Sequence, residues 1–374
     1  MQEKEKIKVT TILGTRPEII RLSEIIKKFE SHFSHRLVFT SQNRESYMGM
    51  NFFEELGLRT PENILNNTSS TPGEFLAILM VEIEKELIAN RPDAVVILGD
   101  TNTSLSAIIC RKLGVPIYHL EAGNRSFDSN VPEEVNRKIV DHIADFNLAY
   151  SRHAENNLLN EGLPSRNCIV IGTPLREVIS ANRSRIDDSK VLEGIGIEPQ
   201  NYFLVSSHRQ ENIDSPVRLA ELIKTLNQVA VRYGKPVVVS THPRLRSMMG
   251  KGSFELHKLI NLAPPFGFID YCNLQMNSIV VLSDSGSISE ESALLDFKAV
   301  TLRDSMERPE ALEAATILMS GLNADRVISA IDLLQSTPTQ ISIPEDYEIS
   351  NSSERVLKFI LSTYHTRDFW SGIR

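Results

Sequence analysis

The sequence predicts an α/β protein of two doubly wound, Rossmann-like domains, and three observations lead there. Short apolar runs of strand character alternate with longer stretches of helical periodicity, the pattern of a parallel sheet covered by helices on both faces. The alternation gives way to a polar stretch around Ala181–Lys190 and then begins again. Polar and small residues follow many of the apolar runs, at the strand ends where such sheets bind ligands.

In the first half the strand candidates are Val9–Leu13, Leu37–Thr40, Ala94–Leu98, Pro116–Leu120 and Phe146–Tyr150. Between them, Ser23–Phe33, Glu74–Ala89, Thr103–Leu113 and Glu134–Ala144 carry apolar residues three and four apart, so each presents one face to a sheet. The polar stretch around Ala181–Lys190 is expected as the linker. Beyond it lie strand candidates Tyr202–Ser206, Pro236–Ser240, Lys258–Leu262, Ser278–Ser283 and Lys298–Leu302, with a helix over Val217–Arg232. The expected domains are 1–175 and 176–354. A last segment, 355–374, holds Val356–Tyr364 and the aromatic pair Phe369-Trp370, and is expected to dock rather than hang free.

A chain of 374 residues with 41% hydrophobic and 24% charged residues has room for about two domains. The net charge of −8 argues against a general nucleic-acid binder, which needs a positive field to meet a polyphosphate, but leaves room for a single nucleotide held by local arginines and amides. Cys110, Cys168 and Cys272 are far apart and form no Cys-x-x-Cys pair, so no disulfide framework or zinc ribbon is expected. The charged start has no signal-peptide apolar region and no apolar run approaches the roughly 20 residues that span a bilayer. A cytoplasmic protein without membrane insertion is the expectation.

Chemistry concentrates at the strand ends. Gly14-Thr15-Arg16-Pro17-Glu18 follows the first strand, with Arg16 at a helix start in the outline of an anion site; a plain strand-to-helix turn is the alternative. Asp100 ends the Ala94–Leu98 run, Glu121 ends Pro116–Leu120, and Glu133 follows soon after. One such acid is ordinarily a helix cap or an ion-pair partner; three on one edge point towards catalysis. In the second half two strands deliver His208-Arg209 and His242-Pro243-Arg244, too distant in sequence to imply a metal, and none is expected. Ser283-Asp284-Ser285-Gly286-Ser287 precedes a helical pattern whose start can approach a phosphate, with Glu290 or Glu291 placed to accept from ribose hydroxyls or simply to favour the helix start. Arg303 and Glu307-Arg308-Pro309-Glu310 close the same edge. No Gly-x-Gly-x-x-Gly, Walker A motif or Tyr-x-x-x-Lys pair appears, so nicotinamide-dependent epimerase equipment is not visible.

Taken in order, Gly14-Thr15-Arg16-Pro17-Glu18, Gly99-Asp100-Thr101, Glu121-Ala122-Gly123, Pro132-Glu133-Glu134-Val135-Asn136-Arg137, His208-Arg209, Asp284-Ser285-Gly286 and Glu307-Arg308-Pro309-Glu310 resemble the non-hydrolysing UDP-N-acetylglucosamine 2-epimerases. The resemblance implies a GT-B-like fold with the active site in the interdomain cleft, a last helix crossing back to the first domain, no cofactor and a homodimer. It implies elimination of UDP from C1 with removal of the C2 proton, and re-addition through a 2-acetamidoglucal. By the same resemblance Asp100, Glu121, Glu133 and His208 are the catalytic residues; which carboxylate is base and which acid depends on the face each occupies. Arg16 falls on the diphosphate, Ser285, Gly286 and Ser287 at the phosphate-facing helix start, Glu291 towards ribose and Tyr271 near uracil, with Arg21, Arg137, His242 and Arg308 as further binding residues.

Two positions depart from the pattern. Many members carry Lys in place of Arg21 and Gln-His in place of Gln42-Asn43, and the second departure puts activation by a second UDP-sugar in question. The texture of Gly14–Ser23, Glu121–Asp128 and Val131–His142 resembles the capsule and O-antigen subgroup that makes UDP-N-acetyl-L-fucosamine from its L-talo epimer. A retaining UDP-sugar glycosyltransferase is the alternative on the same fold.

Overall fold

The computed structural model describes residues 6–41, 46–65, 69, 71–128, 130–131, 133–207, 210–241, 254–337 and 342–370, with backbone alone at 46–49, 210 and 211. The chain divides into two compact units, 1–180 together with 345–374, and 181–344.

The first unit is built on strands β1 (Lys8–Leu13), β2 (Ser34–Phe39), β3 (Asn63–Ile64), β4 (Ala94–Leu98), β5 (Ile117–Leu120), β6 (Phe146–Ala149) and β7 (Cys168–Val170). They form one sheet in the order β3-β2-β1-β4-β5-β6-β7, and every pairing is parallel. Parallel neighbours require a crossover between them, which is why helices fill the connections. Both faces of the sheet are then covered, and β4 and β5 are buried at every position. The second unit repeats the scheme with β8 (Phe203–Ser206), β9 (Val237–Ser240), β10 (Ile260–Ala263), β11 (Val281–Ser283), β12 (Ala299–Thr301) and β13 (Ile317–Met319), ordered β10-β9-β8-β11-β12-β13 and again parallel throughout. Each sheet reverses its winding beside its first strand, between β1 and β4 and between β8 and β11. Ligands enter sheets of this type at such a reversal.

Local chemistry explains the helices. The helix Arg16–His32 starts ahead of the expected Ser23 because Pro17 suits its first turn and Glu18 its positive end. Pro72–Ala89 opens on a capping box in which Thr71 and Glu74 satisfy each other's backbone amides. Pro216–Tyr233 is capped by Ser215 and stops at left-handed Gly234. Thr103–Leu113, expected as one helix, is a 3₁₀ turn, Asn102–Ser106, followed by Ala107–Lys112. The polar stretch expected as a linker begins where the two units divide, and it is largely helical, since Leu175–Asp187 runs into it with Val178 and Ile179 packed inward. Polar composition there marks the solvent face of a helix.

The chain re-enters the first unit at Glu345. Tyr347 is fully buried, Arg176 donates to its carbonyl at 3.3 Å, and Asp346 accepts the Arg152 amide at 2.6 Å. The helix Ser352–Thr363 then packs on Arg16–His32. Its Phe359 meets the rings of Tyr118 and Phe146 edge-on, and Thr363 lies 2.8 Å from the Tyr118 hydroxyl. Of the terminal aromatic pair, Trp370 packs near Phe146 and under the Arg166 guanidinium, whereas Phe369 is 86% exposed and does not dock.

A buried carboxylate closes this arrangement. Asp145 accepts the Ile117 amide at 3.0 Å, Arg367 at 2.9 Å and Arg111 at 2.5 Å. Removing one partner of a buried pair leaves the other charge uncompensated, so Asp145→Ala is expected to cost about 3–5 kcal/mol. Urea unfolding followed by far-UV circular dichroism measures this.

Candidate active site

At the first reversal three strand ends meet. Gly14 follows β1 so closely under its neighbours that a Cβ would overlap the hydroxyls of Thr40 and Thr103, which themselves lie 2.7 Å apart. The turn leads into Glu18, whose buried carboxylate accepts from the Gly14 amide at 2.6 Å, the Thr15 hydroxyl at 3.0 Å and the Thr101 hydroxyl at 2.8 Å. One side chain therefore ties the loop after β1 to the loop after β4. Burial pushes its carboxyl up to about 7, against the hydrogen bonds from Gly14, Thr101 and Thr15 that favour the charge.

Asp100, just past β4, is held by Arg137, whose Nε and Nη2 lie 2.7 and 2.6 Å from Oδ2. Arg137 is buried and its Nη1 donates to Glu134 at 2.9 Å. Asn136 adds a bond to the Asp100 carbonyl at 2.9 Å. Glu133 opens the same helix, Glu133–Ile143, half-buried and one turn before Arg137. Glu121, the first residue after β5, has φ +63°, a left-handed conformation uncommon for a side chain of its size. Its Oε2 lies 3.6 Å from where a Gly99 Cβ would stand, and Asn124 approaches its Oε1 at 3.4 Å. Asp100 and Glu121 thus stand at the ends of adjacent strands. Arg16 is exposed at its helix start over the ring of Phe52, and Arg21 is buried one turn further on.

In the second unit Asp284, fully buried after β11, accepts from Ser207 at 2.7 Å and Asn212 at 2.9 Å, joining the loops at the second reversal. Ser285 and Ser287 share a 2.9 Å hydroxyl contact ahead of the helix Ile288–Leu295. Arg308 donates to the Gly286 carbonyl at 3.0 Å and pairs with buried Glu290 at 3.3 Å. Glu290 is thereby committed to Arg308. Glu291 is the half-buried member, receiving Gln275 Nε2 at 2.6 Å. Tyr271 lies one turn before Gln275 on the helix Phe268–Met276. His208 and His242 lie outside the described residues, as does Gln42-Asn43.

Sequence reasoning named Glu18 only as the end of the Gly14–Glu18 turn, and did not single out His119, Asp141 or Gln275. His119 was visible as a polar residue inside an otherwise apolar strand, and Asp141 as an acid one turn beyond Arg137. Gln275 carried no signal.

Buried, hydrogen-bonded carboxylates at the carboxyl edge of one parallel sheet, with a small-residue helix start at the edge of a second, define a Rossmann-like α/β enzyme. Comparison with known proteins specifies it. The family described as UDP-N-acetylglucosamine 2-epimerase matches residues 27–361, and the chain belongs to that family; it is an isomerase. The structure of UDP-N-acetylglucosamine 2-epimerase from Rickettsia bellii is similar with a TM-score of 0.90 and 37% identity, covering 97% of this chain and 98% of that one. The Methanocaldococcus jannaschii UDP-GlcNAc 2-epimerase crystallised with UDP-GlcNAc and UDP gives 0.89 and 34%, over 95% of this chain and 100% of that one. A Pseudomonas aeruginosa UDP-2,3-diacetamido-2,3-dideoxy-D-glucuronate 2-epimerase is 31% identical over 87% of this chain and 91% of its own. Among the described residues no helix is long and apolar enough to cross a membrane.

The raised Glu18 carboxyl has a definite pH signature. Between its ordinary 4.5 and about 7 the folded state holds a proton that the unfolded chain has released, so stability falls as pH rises through that window and is level on either side. Relative to Glu18→Gln, the wild-type protein is expected to lose about 3 kcal/mol of unfolding free energy across it. Urea titrations of both proteins at several pH values test this; parallel curves would show that Glu18 stays ionised.

Proposed function

We propose that the chain inverts C2 of a UDP-N-acetylhexosamine, interconverting the UDP-N-acetylglucosamine and UDP-N-acetylmannosamine forms without releasing free sugar. The observation that carries the reading is the meeting of Asp100 and Glu121 at adjacent strand ends, with Glu133 one turn from the arginine that holds Asp100.

A C2 proton beside an acetal carbon is weakly acidic. Its removal needs a positioned base acting while the C1–O bond breaks and the departing diphosphate is stabilised. The electron pair left at C2 forms the C1–C2 double bond of a 2-acetamidoglucal, and UDP carries off the C1–O pair. Re-addition of the UDP oxygen to C1, with a proton delivered to the opposite face of C2, completes inversion. Such a sequence needs proton-transfer groups on both faces, and the three carboxylates of the first unit are the candidates for them, with His208 a fourth catalytic residue by the family resemblance. In the second unit Ser285, Gly286 and Ser287 present the helix start to the phosphates, Glu291 accepts from ribose and Tyr271 flanks the base, with His242 and Arg308 as further binding residues; Arg16, Arg21 and Arg137 are the binding arginines of the first unit. Glu291 is favoured over Glu290 because Glu290 is buried on Arg308.

The sugar's C6 takes no part in this chemistry. The Pseudomonas aeruginosa relative is named for a hexuronate, so the 6-deoxy substrate, with UDP-N-acetyl-L-fucosamine as product, is the second reading. Side-by-side assays of the 6-hydroxy and 6-deoxy L-talo substrates separate the two.

Turnover in deuterated water is expected to place deuterium at C2 of recovered substrate and product with no free N-acetylhexosamine; hydrogen retained at C2 would overturn the mechanism. Asp100→Asn and Glu121→Gln are each expected to lower kcat by about 10²–10⁴-fold while UDP binding, measured calorimetrically, is unchanged.

A further inference from the structure

We propose that Asp141 is a positioning residue for the reaction, its single carboxylate fixing the backbone on both sides of Glu121 and, through His119, the residue that precedes Asp100. The proposal rests on Glu121 and Asp100 being catalytic.

Asp141 is fully buried on the helix Glu133–Ile143. Its Oδ1 lies 2.8 Å from His119 Nδ1, and its Oδ2 accepts the Gly123 amide at 3.2 Å and Arg125 Nη1 at 2.7 Å. His119 stands two residues before Glu121 and Gly123 two after it, so one carboxylate grips both flanks of the left-handed residue. A non-glycine residue persists in that conformation only where its surroundings over-determine it. The second ring nitrogen of His119 lies 2.8 Å from the Gly99 carbonyl, and because a carbonyl only accepts, that nitrogen donates. The peptide that leads into Asp100 is thereby tied to the same carboxylate. An imidazole nitrogen without hydrogen and a carboxylate both only accept, so the His119–Asp141 contact carries a proton as well.

The clamp is itself anchored. Arg125 is held from its far side by Glu161 through two 2.7 Å bonds, and Asn147 donates to the Asp141 carbonyl at 2.9 Å. Gly123 has φ +83° and lies so close to the helix Arg152–Asn160 that a Cβ would overlap the Ala154 carbonyl. Asn157 donates to the Gly123 carbonyl at 2.9 Å. Burial disfavours charge on Asp141, but the hydrogen bonds and charges of His119 and Arg125 outweigh it and hold the carboxyl below its ordinary range.

An Asp141→Asn side chain keeps the shape but presents an amide hydrogen to groups that donate. Displacements of an ångström in a catalytic group cost up to about 100-fold in rate. Asp141→Asn is therefore expected to lower kcat by about 10- to 100-fold per folded molecule, with KM and UDP affinity unchanged, and to add no further loss to Glu121→Gln. A residue that only stabilises the fold lowers the folded fraction and leaves kcat per folded molecule intact. Wild-type kcat per folded molecule, or losses that multiply in the Asp141→Asn, Glu121→Gln double variant, would overturn the proposal. If Asp141→Asn does not fold, His119→Gln takes its place, since its amide still reaches the Gly99 carbonyl but leaves Asp141; the same kcat-only loss supports the clamp and unchanged kcat refutes it. Full turnover of Glu121→Gln alone would instead refute the catalytic reading on which the clamp rests.

Discussion

Parallel pairing governs everything else in this molecule. Because every strand runs the same way as its neighbour, each return must cross a face of the sheet, and all strand carboxyl ends emerge on one edge. Each sheet then has a single place where successive crossovers diverge, beside β1 in one unit and beside β8 in the other. Loops that diverge leave a gap between their backbones, and polar groups lining it must find partners. In both units a buried carboxylate answers that need: Glu18 takes the Gly14 amide and hydroxyls from the loops after β1 and β4, and Asp284 takes side-chain donors from the residues after β8.

The carboxylates around the first reversal differ in what surrounds them, and their tasks divide accordingly. Glu18 accepts from two hydroxyls and an amide, and burial dominates it. Asp141 has an arginine and a histidine and keeps its charge. Asp145 is held between two arginines at the amino ends of β5 and β6, opposite the edge where Asp100 and Glu121 stand. Asp100 and Glu121 are the less enclosed members, standing at the edge where a substrate arrives. Placing partially accessible acids on a frame of fully buried ones keeps the reacting groups rigid, which is what proton transfer at carbon requires.

Much of this was legible in the amino-acid order. The apolar runs at Val9, Ala94, Pro116, Tyr202 and Pro236 fall on strands because both-face burial demands continuous hydrophobicity, and Gly14, Asp100, Glu121 and Ser285 fall at strand ends for the same topological reason. Short edge strands were not legible: β3, β7 and β13 span two or three residues, too few for any period to register. The chain passes between the units where the polar stretch begins, at Ser180–Ala181, but its helical form was not legible, because a helix with one wet face looks polar when its buried positions are sparse. Gln275 was invisible for a different reason, and Asp141 showed its place on a helix but not its task. Their meaning lies in partners many positions away, His119 and Glu291, and no local pattern records a contact set by tertiary packing. Glu290 and Glu291 show the limit within a single dipeptide, since only burial tells which one is tied to Arg308.

The return of residues 345–370 to the first unit makes the second unit an insertion within it. During synthesis, the stretch 181–344 therefore leaves the ribosome whole while Tyr118, Phe146 and the outer side of Arg16–His32 still wait for the aromatic and aliphatic groups that cover them. Order of emergence and order of completion are opposed: the unit that begins first finishes last. The first unit acquires its final support only with residues 345–370, so a product truncated before them would hold an intact second sheet and an unfinished first one.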